Sequence, residues 1–425
     1  MPSYCEHSLP FFGDAFSVFQ IFKDEPNVFF LDSSLSGPQA RFSYIGFSPA
    51  AMVKGKDLAK LKRAFDKYRC PKGKLNFPAG AVGYLGYDGA LCFGLYDNLL
   101  TIDHEARRLI VSSPSQGQNH TIAKMLWRKP VHKEHKPFKG KLQFKSNFTK
   151  AQFIAAVKKA LAHIRNGDIY QINLSHKIEV SIPHWEDYAD AGAIYGALRQ
   201  CSPSDHSAYF FDGKQHILSS SPEQFIGLRG RHLHVKPMKG TRPRGKMPQE
   251  DARFKEELRT SPKEIAELLM VTDLERNDLG RVCTYGSVNV KAMRTIEEYA
   301  TVFQATSTVE GRLHKNFDQF DLLKATFPSG SVTGCPKIEA MKIIKKLENG
   351  SRGAYTGALG YMSFTGDMDF NVLIRTLFLE KNKITFHVGS GIVADSDPEA
   401  EYEETWVKAQ ALQKALQQVL GRREE

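Results

Sequence analysis

The chain has 425 residues, 41% hydrophobic, 25% charged and 11% aromatic, which is core material for two or three ordinary domains or one large intertwined one and excludes a disordered, collagenous or low-complexity protein. The first 16 residues lack a basic stretch leading into an apolar one, and no apolar run approaches the roughly 20 residues of a membrane helix, so a soluble cytoplasmic protein is expected. The formal net charge of +11 concentrates at 127–145, where Arg128, Lys129, Lys133, Lys136, Lys139, Lys141 and Lys145 fall among Pro130, Pro137 and Gly140; these breaks predict a solvated linker ahead of a nucleic-acid surface.

Strands are predicted at 28–31, 42–45 and 81–87, between Ser, Gly and Pro turns. Beyond the basic stretch, Thr149 caps a helix whose Phe153, Val157, Leu161 and Ile164 keep helical spacing until Gly167, and a strand over 169–180 follows. Over 355–393, tight turns at Thr365-Gly366-Asp367 and Lys381-Asn382-Lys383 join consecutive strands, which implies antiparallel pairing. Strands and helices do not alternate as in a doubly wound fold. The fold class read from this pattern is α+β, with large antiparallel sheets packed against helices, divided into an N-terminal region 1–126, a basic linker 127–147 and a catalytic region 148–425. Cys5, Cys70, Cys92, Cys201, Cys283 and Cys335 lie far apart without a CxxC pair, which fits reduced thiols better than disulfides or a zinc site.

Three clusters could carry chemistry. Ser261-Pro262 and Asp397-Pro398 each open a helix, with Glu264 reading as a capping-box residue, and the pairs Glu264/Glu267 and Glu401/Glu404 each share a helix face. Such carboxylates suit Mg²⁺, although by spacing alone solvated helix faces explain them better. Residues 328–334 lead into a helix with Pro336 near its start and Ile338, Met341, Ile344 and Leu347 on one face, and Gly389-Ser390-Gly391 interrupts an apolar strand; both are candidate backbone anion sites or ordinary turns and bulges. Lys239, between Met238 and Gly240, is an amine nucleophile or part of a basic surface loop, and Glu223 in Ser221-Pro222-Glu223 ends a strand.

Several strings together resemble the chorismate-utilising enzymes, a family that includes component I of anthranilate synthase and of aminodeoxychorismate synthase. They are residues 167–175 around Gln171, Ser221-Pro222-Glu223, residues 237–245 around Lys239, Glu267 with residues 273–281, residues 327–337 around Thr333, Gly360-Tyr361, Ile374-Arg375, and residues 389–404. They occur in the family order over about 150–420, and more loosely upstream at 30–34 and 41–44. The resemblance implies the chorismate-binding enzyme fold. It further implies Mg²⁺ held by Glu267 and Glu404 with Glu264 and Glu401 in support, and catalysis by Lys239 and Glu223. Substrate contacts are implied at Gln171, Thr333, Tyr361, Arg375, Gly389, Ser390 and Gly391.

The resemblance also separates branches of the family. Isochorismate-forming relatives carry a water-activating lysine where this chain has Gln171, so ammonia is the implied nucleophile. Lys239 stands where aminodeoxychorismate synthases have lysine and anthranilate synthases a small residue. The implied reaction is therefore an amino-group transfer that turns chorismate into 4-amino-4-deoxychorismate on the way to p-aminobenzoate and folate, with ammonia from a separate glutamine amidotransferase subunit. Anthranilate synthesis is the alternative, and a non-catalytic basic binding protein on the same fold a remote one. No nucleic-acid or membrane partner is expected. Two departures stand out: Gln304 replaces the usual histidine, and Ser202-Pro203-Ser204-Asp205-His206 replaces a motif that forms part of a tryptophan pocket in relatives.

Overall fold

The computed structural model describes residues 3–35, 41–130, 133–299 and 302–421. Two large sheets, antiparallel throughout, form the centre. The first runs from Cys5–Pro10 at one edge through Phe29–Asp32, His206–Phe211, His216–Ser221, Thr376–Glu380 and Lys383–Ile392 to Gln171–Ser181 and the short Gly334–Cys335. The second runs from Met238–Pro243 through Val302–Arg312, Gln224–Arg229 and Met368–Val372 to Ala358–Ser363, Gly80–Leu85 and Ala51–Gly55.

Apolar side chains leave both faces of the sheets and so define four layers. Phe29, Tyr44, Phe77, Tyr96, Phe210 and Tyr361 fill the space between the sheets. Phe30, on the opposite face from Phe29, joins a core under the helices Ala15–Phe22, Ala191–Cys201 and Pro398–Leu420. The far side of the second sheet is covered by Leu58–Phe65 and Gln319–Thr326. This is the α+β class the sequence pattern implies.

Local signals behave as their chemistry dictates. Thr149 and Gln152 make a full capping box on the helix Lys150–Arg165. The 355–393 stretch forms two antiparallel hairpins, but they belong to different sheets: the chain leaves the second sheet at Val372 and enters the first at Thr376. The reverse passage, from His216–Ser221 to Gln224–Arg229, leaves Pro222 and Glu223 between the sheets.

Three expectations need correction. Strands from both sides of the basic stretch pair within each sheet, so 1–126 and 148–425 share their sheets. The stretch itself, apart from 131–132, which lie outside the described residues, is anchored: Phe138, Leu142 and Phe144 pack on the first core, and Arg128, Lys133 and Lys136 pair with Glu25, Asp24 and Asp187. The helix Lys337–Leu347 buries Ala340, Ile343 and Ile344 and leaves Ile338 74% exposed, because Pro336 is its cap residue and the inward stripe is rotated from the one expected.

Candidate active site

A cavity of about 990 Å³ opens where the chain passes between the sheets. Glu223 and Arg375, one from each passage, line it together with Lys239, Gln304, Glu267 and Glu404. Residues at a crossover are not held in a ladder on both sides, so their side chains can turn into the gap between sheets.

Glu223 is 5% exposed, and burial pushes its carboxyl up to about 7, with the Ser331 hydroxyl and Lys239 offsetting part of the rise and Glu275 adding to it. A carboxyl so placed is a competent general acid near neutral pH. Lys239 is enclosed as well. Burial lowers its pKa against the opposing pull of Glu267 and Glu223, and its nearest carboxylate oxygen is Glu267 Oε2 at 4.0 Å. Desolvation of this kind favours the neutral, nucleophilic amine.

The four helix acids do not act alike. Glu264 gives one oxygen to Arg242 Nη1 at 2.8 Å and leaves Oε2 buried without a partner; it does not form the capping box, since its side chain turns to Arg242 and only its backbone N–H donates to Ser261. Glu401 accepts from the hydroxyls of Ser390 and Ser396 and is 3% exposed. Glu267 and Glu404 line the cavity. Glu267 is raised by burial, partly offset by Lys239 and Lys263, with Glu401 and Glu404 adding to the rise. Desolvation raises Glu404 too, but Lys408, 2.7 Å away, together with Lys263 and Lys239, outweighs it and holds the carboxyl below its ordinary value. Among the described residues, no three acidic, His or Cys side chains gather tightly enough to cage a metal ion. The donor set nevertheless fits Mg²⁺, which takes one or two carboxylates and completes its shell with water and an anionic ligand: Glu267 and Glu404 would supply the carboxylates, and Glu264 Oε2 is an orphaned oxygen on the same wall.

Opposite charge is available for an anion. Arg375 is half-buried on the cavity wall, its pKa is lowered by desolvation, and among the described residues its side-chain hydrogen bond is a 3.4 Å contact to Ser202 Oγ, with no carboxylate partner. A cation so placed without a counter-ion is suited to a carboxylate ligand. Below it, Gly389 and Gly391 face the cavity, and a Cβ at 391 would stand 2.9 Å from Gln171 Nε2 and 3.6 Å from Lys239 Nζ. Only glycine there leaves room for a ligand between amide and amine.

Three of the expected substrate contacts lie elsewhere. Tyr361 is stacked on Phe77 at 4.0 Å in the inter-sheet core and accepts from Arg229 Nη1 at 2.5 Å; it borders a separate cavity of about 100 Å³. Thr333 is wholly buried and donates to the Ser329 carbonyl at 3.0 Å. Ser390 points to the opposite face of its strand from the two glycines and donates to Glu401. The 328–334 loop does hold a carboxyl group, but an internal one and through one amide: Gly330 N–H donates to Glu275 Oε1 at 3.0 Å. Residues not expected from sequence include Asn173, Ser331 and Lys408 on the cavity wall. Lys408 was detectable as a base four residues after Glu404 on one helix; Asn173 and Ser331 carry no comparable signal.

Comparison with other proteins identifies the family. Residues 27–414 match the family model for chorismate binding enzymes. An anthranilate synthase component 1 from Thermus thermophilus is 34% identical over 92% of both chains, and an aminodeoxychorismate synthase component 1 from Bacillus subtilis is 34% identical over 91% of both. The crystal structure of anthranilate synthase component I from Streptococcus pneumoniae superposes with a TM-score of 0.78 at 29% identity, over 89% of this chain and 93% of the other. The chain belongs to the chorismate-binding enzyme family, and so acts on chorismate.

Proposed function

We propose that the chain aminates chorismate at C4 to give 4-amino-4-deoxychorismate, a precursor of p-aminobenzoate and folate. The observation that carries this reading is Lys239, an enclosed amine on the cavity wall whose pKa is lowered by burial. As the neutral amine, Lys239 Nζ adds at C2 while Glu223 gives its proton to the C4 oxygen, which leaves as water. Ammonia then bonds to C4 and expels the lysine amine. Arg375 and the backbone beside Gly389 and Gly391 bind carboxylates of the substrate, and Gln171 hydrogen-bonds near the reacting edge. Mg²⁺ held by Glu267 and Glu404 supplies positive charge to a substrate carboxylate.

Ammonia is the co-substrate, with glutamine used only through a separate amidotransferase subunit. Both named relatives are component 1 of their synthases. Burial pushes the thiols of Cys70, Cys92, Cys201, Cys283 and Cys335 up, the reverse of an activated glutaminase nucleophile.

Relatives carry both synthase names, so the anthranilate reading is the competitor. Anthranilate formation needs removal of the C2 ring proton and loss of pyruvate; Gln304, 3% exposed on the cavity wall, offers an amide with no titratable proton. The test is incubation of the purified chain with chorismate, Mg²⁺ and ammonium, with the product weighed by mass spectrometry. An aminochorismate that keeps its pyruvyl group is expected. Pyruvate released in step with fluorescent anthranilate would overturn the reading.

A further inference from the structure

A second buried carboxyl stands behind Glu223, and the mechanism above does not use it. Glu275, on the helix Pro262–Gly280, is 2% exposed. Its Oε1 accepts from Gly330 N–H at 3.0 Å and from Ser329 Oγ at 3.2 Å, while Oε2 is buried without a partner. Ser329 Oγ is in turn 3.0 Å from Ser331 Oγ, and either hydroxyl can donate. Ser331 and Glu223 line the same cavity, and the Ser331 hydroxyl acts on the Glu223 carboxyl, so the two hydroxyls lead from Glu275 to the side of the general acid. The loop is pressed against the helix to allow this: a Cβ on Gly330 would meet Leu274 Cδ2 at 2.5 Å.

We propose that Glu275 is the proton store of the active site, a positioning residue that refills and drains Glu223 through Ser329 and Ser331. The proposal rests on Glu223 being the general acid. As the C4–O bond breaks and Lys239 bonds to C2, Glu223 loses its proton to the departing water. Ser331 hands Glu223 its hydroxyl proton, Ser329 replaces that of Ser331, and Glu275 replaces that of Ser329, ending as the carboxylate. When ammonia bonds to C4 and lysine leaves, the new C4 ammonium gives up one proton, which returns to Glu275 along the same hydroxyls. The protons balance over the cycle.

The surroundings suit a group that changes charge. Burial pushes Glu275 up to about 7, level with Glu223, with Lys337 lowering it and Asp278 raising it. Lys337 Nζ bonds to Asp278 and to the Thr326 carbonyl, and Arg281 also bonds to Asp278, so the charged groups beyond Glu275 form a fixed cluster that can stabilise its anion. On the cavity side, Lys239 and Glu275 are the charged groups that act on Glu223. When Glu275 is protonated on Oε1, that O–H faces Ser329 Oγ, and the unpartnered Oε2 is the uncharged carbonyl oxygen of the acid, which costs less to bury than a carboxylate oxygen. Among the described residues no hydrogen bond joins Ser331 to Glu223, and the relay requires the two to close up when substrate enters, as catalytic hydrogen bonds often do.

The test is the pH profile of chorismate consumption, with saturating ammonium and Mg²⁺, for wild type, Glu275→Gln, Ser329→Ala, Ser329→Thr and Glu223→Gln. Glu275→Gln keeps the acceptor for Gly330 and is expected to lower kcat about 10-fold above pH 7 with KM unchanged, and to move the alkaline limb down by about one pH unit, since a negative neighbour no longer raises Glu223. Ser329→Ala is expected to lower kcat similarly with a larger solvent isotope effect, and Ser329→Thr to restore both. A wild-type profile in Glu275→Gln and Ser329→Ala, or a loss equal at every pH, would overturn the relay while Glu223→Gln stays inactive. Full activity in Glu223→Gln would instead overturn the assignment of the acid itself.

Discussion

The helices Pro262–Gly280 and Pro398–Leu420 begin with one grammar and end in two kinds of chemistry. Each has a side-chain cap, Ser261 or Asp397, then proline, then two acids three residues apart. On both, the outer acid is tied down, but by different means: Glu264 by the Arg242 guanidinium, Glu401 by two serine hydroxyls. The inner acids differ more. Glu404 carries its own counter-ion, Lys408, one turn along the same helix; the cation nearest Glu267 is Lys239, from a strand of the second sheet. If Lys239 is to act as a neutral amine, Glu267 must find its positive charge elsewhere. The two faces therefore teach that spacing fixes which acids share a face, while each acid's own neighbours decide how its charge is met.

The strongest way to break this comparison is to remove Lys239. Lys239→Ala is expected to lower amination by about three orders of magnitude, the scale of an enforced encounter between nucleophile and substrate, while leaving the fold intact. Intact-mass analysis of a quenched reaction should show an adduct of chorismate on wild type and none on the variant. Undiminished turnover would mean that ammonia attacks directly and that the lysine serves only as a charge beside Glu267.

Next in size are the inner acids. Glu267→Gln and Glu404→Gln each remove one of the few anionic donors suited to Mg²⁺ and are expected to weaken Mg²⁺-dependent activity by about 100-fold or more. Activity measured across a magnesium titration checks this, and an unchanged magnesium requirement in Glu404→Gln would sink the assignment. The pH profile sharpens the same picture from the other wall. Glu223 must be protonated to act, and its carboxyl is raised to about 7, so kcat is expected to be full below that pH and to fall as pH rises through it.

What sequence could and could not convey follows from these residues. The hairpins over 355–393 and the capped helix at Thr149 were legible because turn and cap chemistry is local. That the two hairpins join different sheets was not, since the passage through Leu373 and Arg375 has no local signature. The acid pairs were visible as spacing, yet only the resemblance to a family gave them a role, and Glu264's pairing with Arg242 depends on a strand 22 positions away in sequence. Tyr361 and Thr333 fall in matching motifs but support packing; motif membership does not say which face of a strand a side chain leaves. Glu275 lies inside the 273–281 string, where nothing in sequence gives it a role of its own, and its contacts come from the approach of the 328–334 loop.

A smaller effect is expected at Glu401, where the cost is in folding. Ser396→Ala removes the donor to Glu401 Oε1, a 2.6 Å bond in a buried setting. A loss of about 1–2 kcal/mol in a denaturant melt is expected, because the carboxylate oxygen is left without that donor.

The smallest expected effect, and the one that bears most directly on the comparison, belongs to Glu264. Its carboxylate lines the cavity, as Glu267 does, but its charge is already met by Arg242 at 2.8 Å. Glutamine in its place keeps a carbonyl oxygen for the guanidinium and turns the unpartnered Oε2 into an amide donor, so the ion pair is exchanged for a neutral-to-charged hydrogen bond. The pair is partly exposed, with side chains 30% and 16% accessible, which limits what its loss can cost to about 1 kcal/mol. Glu264→Gln is therefore expected to stay within a few-fold of wild type in turnover and in the magnesium concentration for half-maximal rate. A loss as deep as that of Glu404→Gln would show that Arg242 releases Glu264 when substrate and cation enter. The first helix would then give both of its acids to one site, and the division between outer acids held by the protein and inner acids turned to the cation would fail.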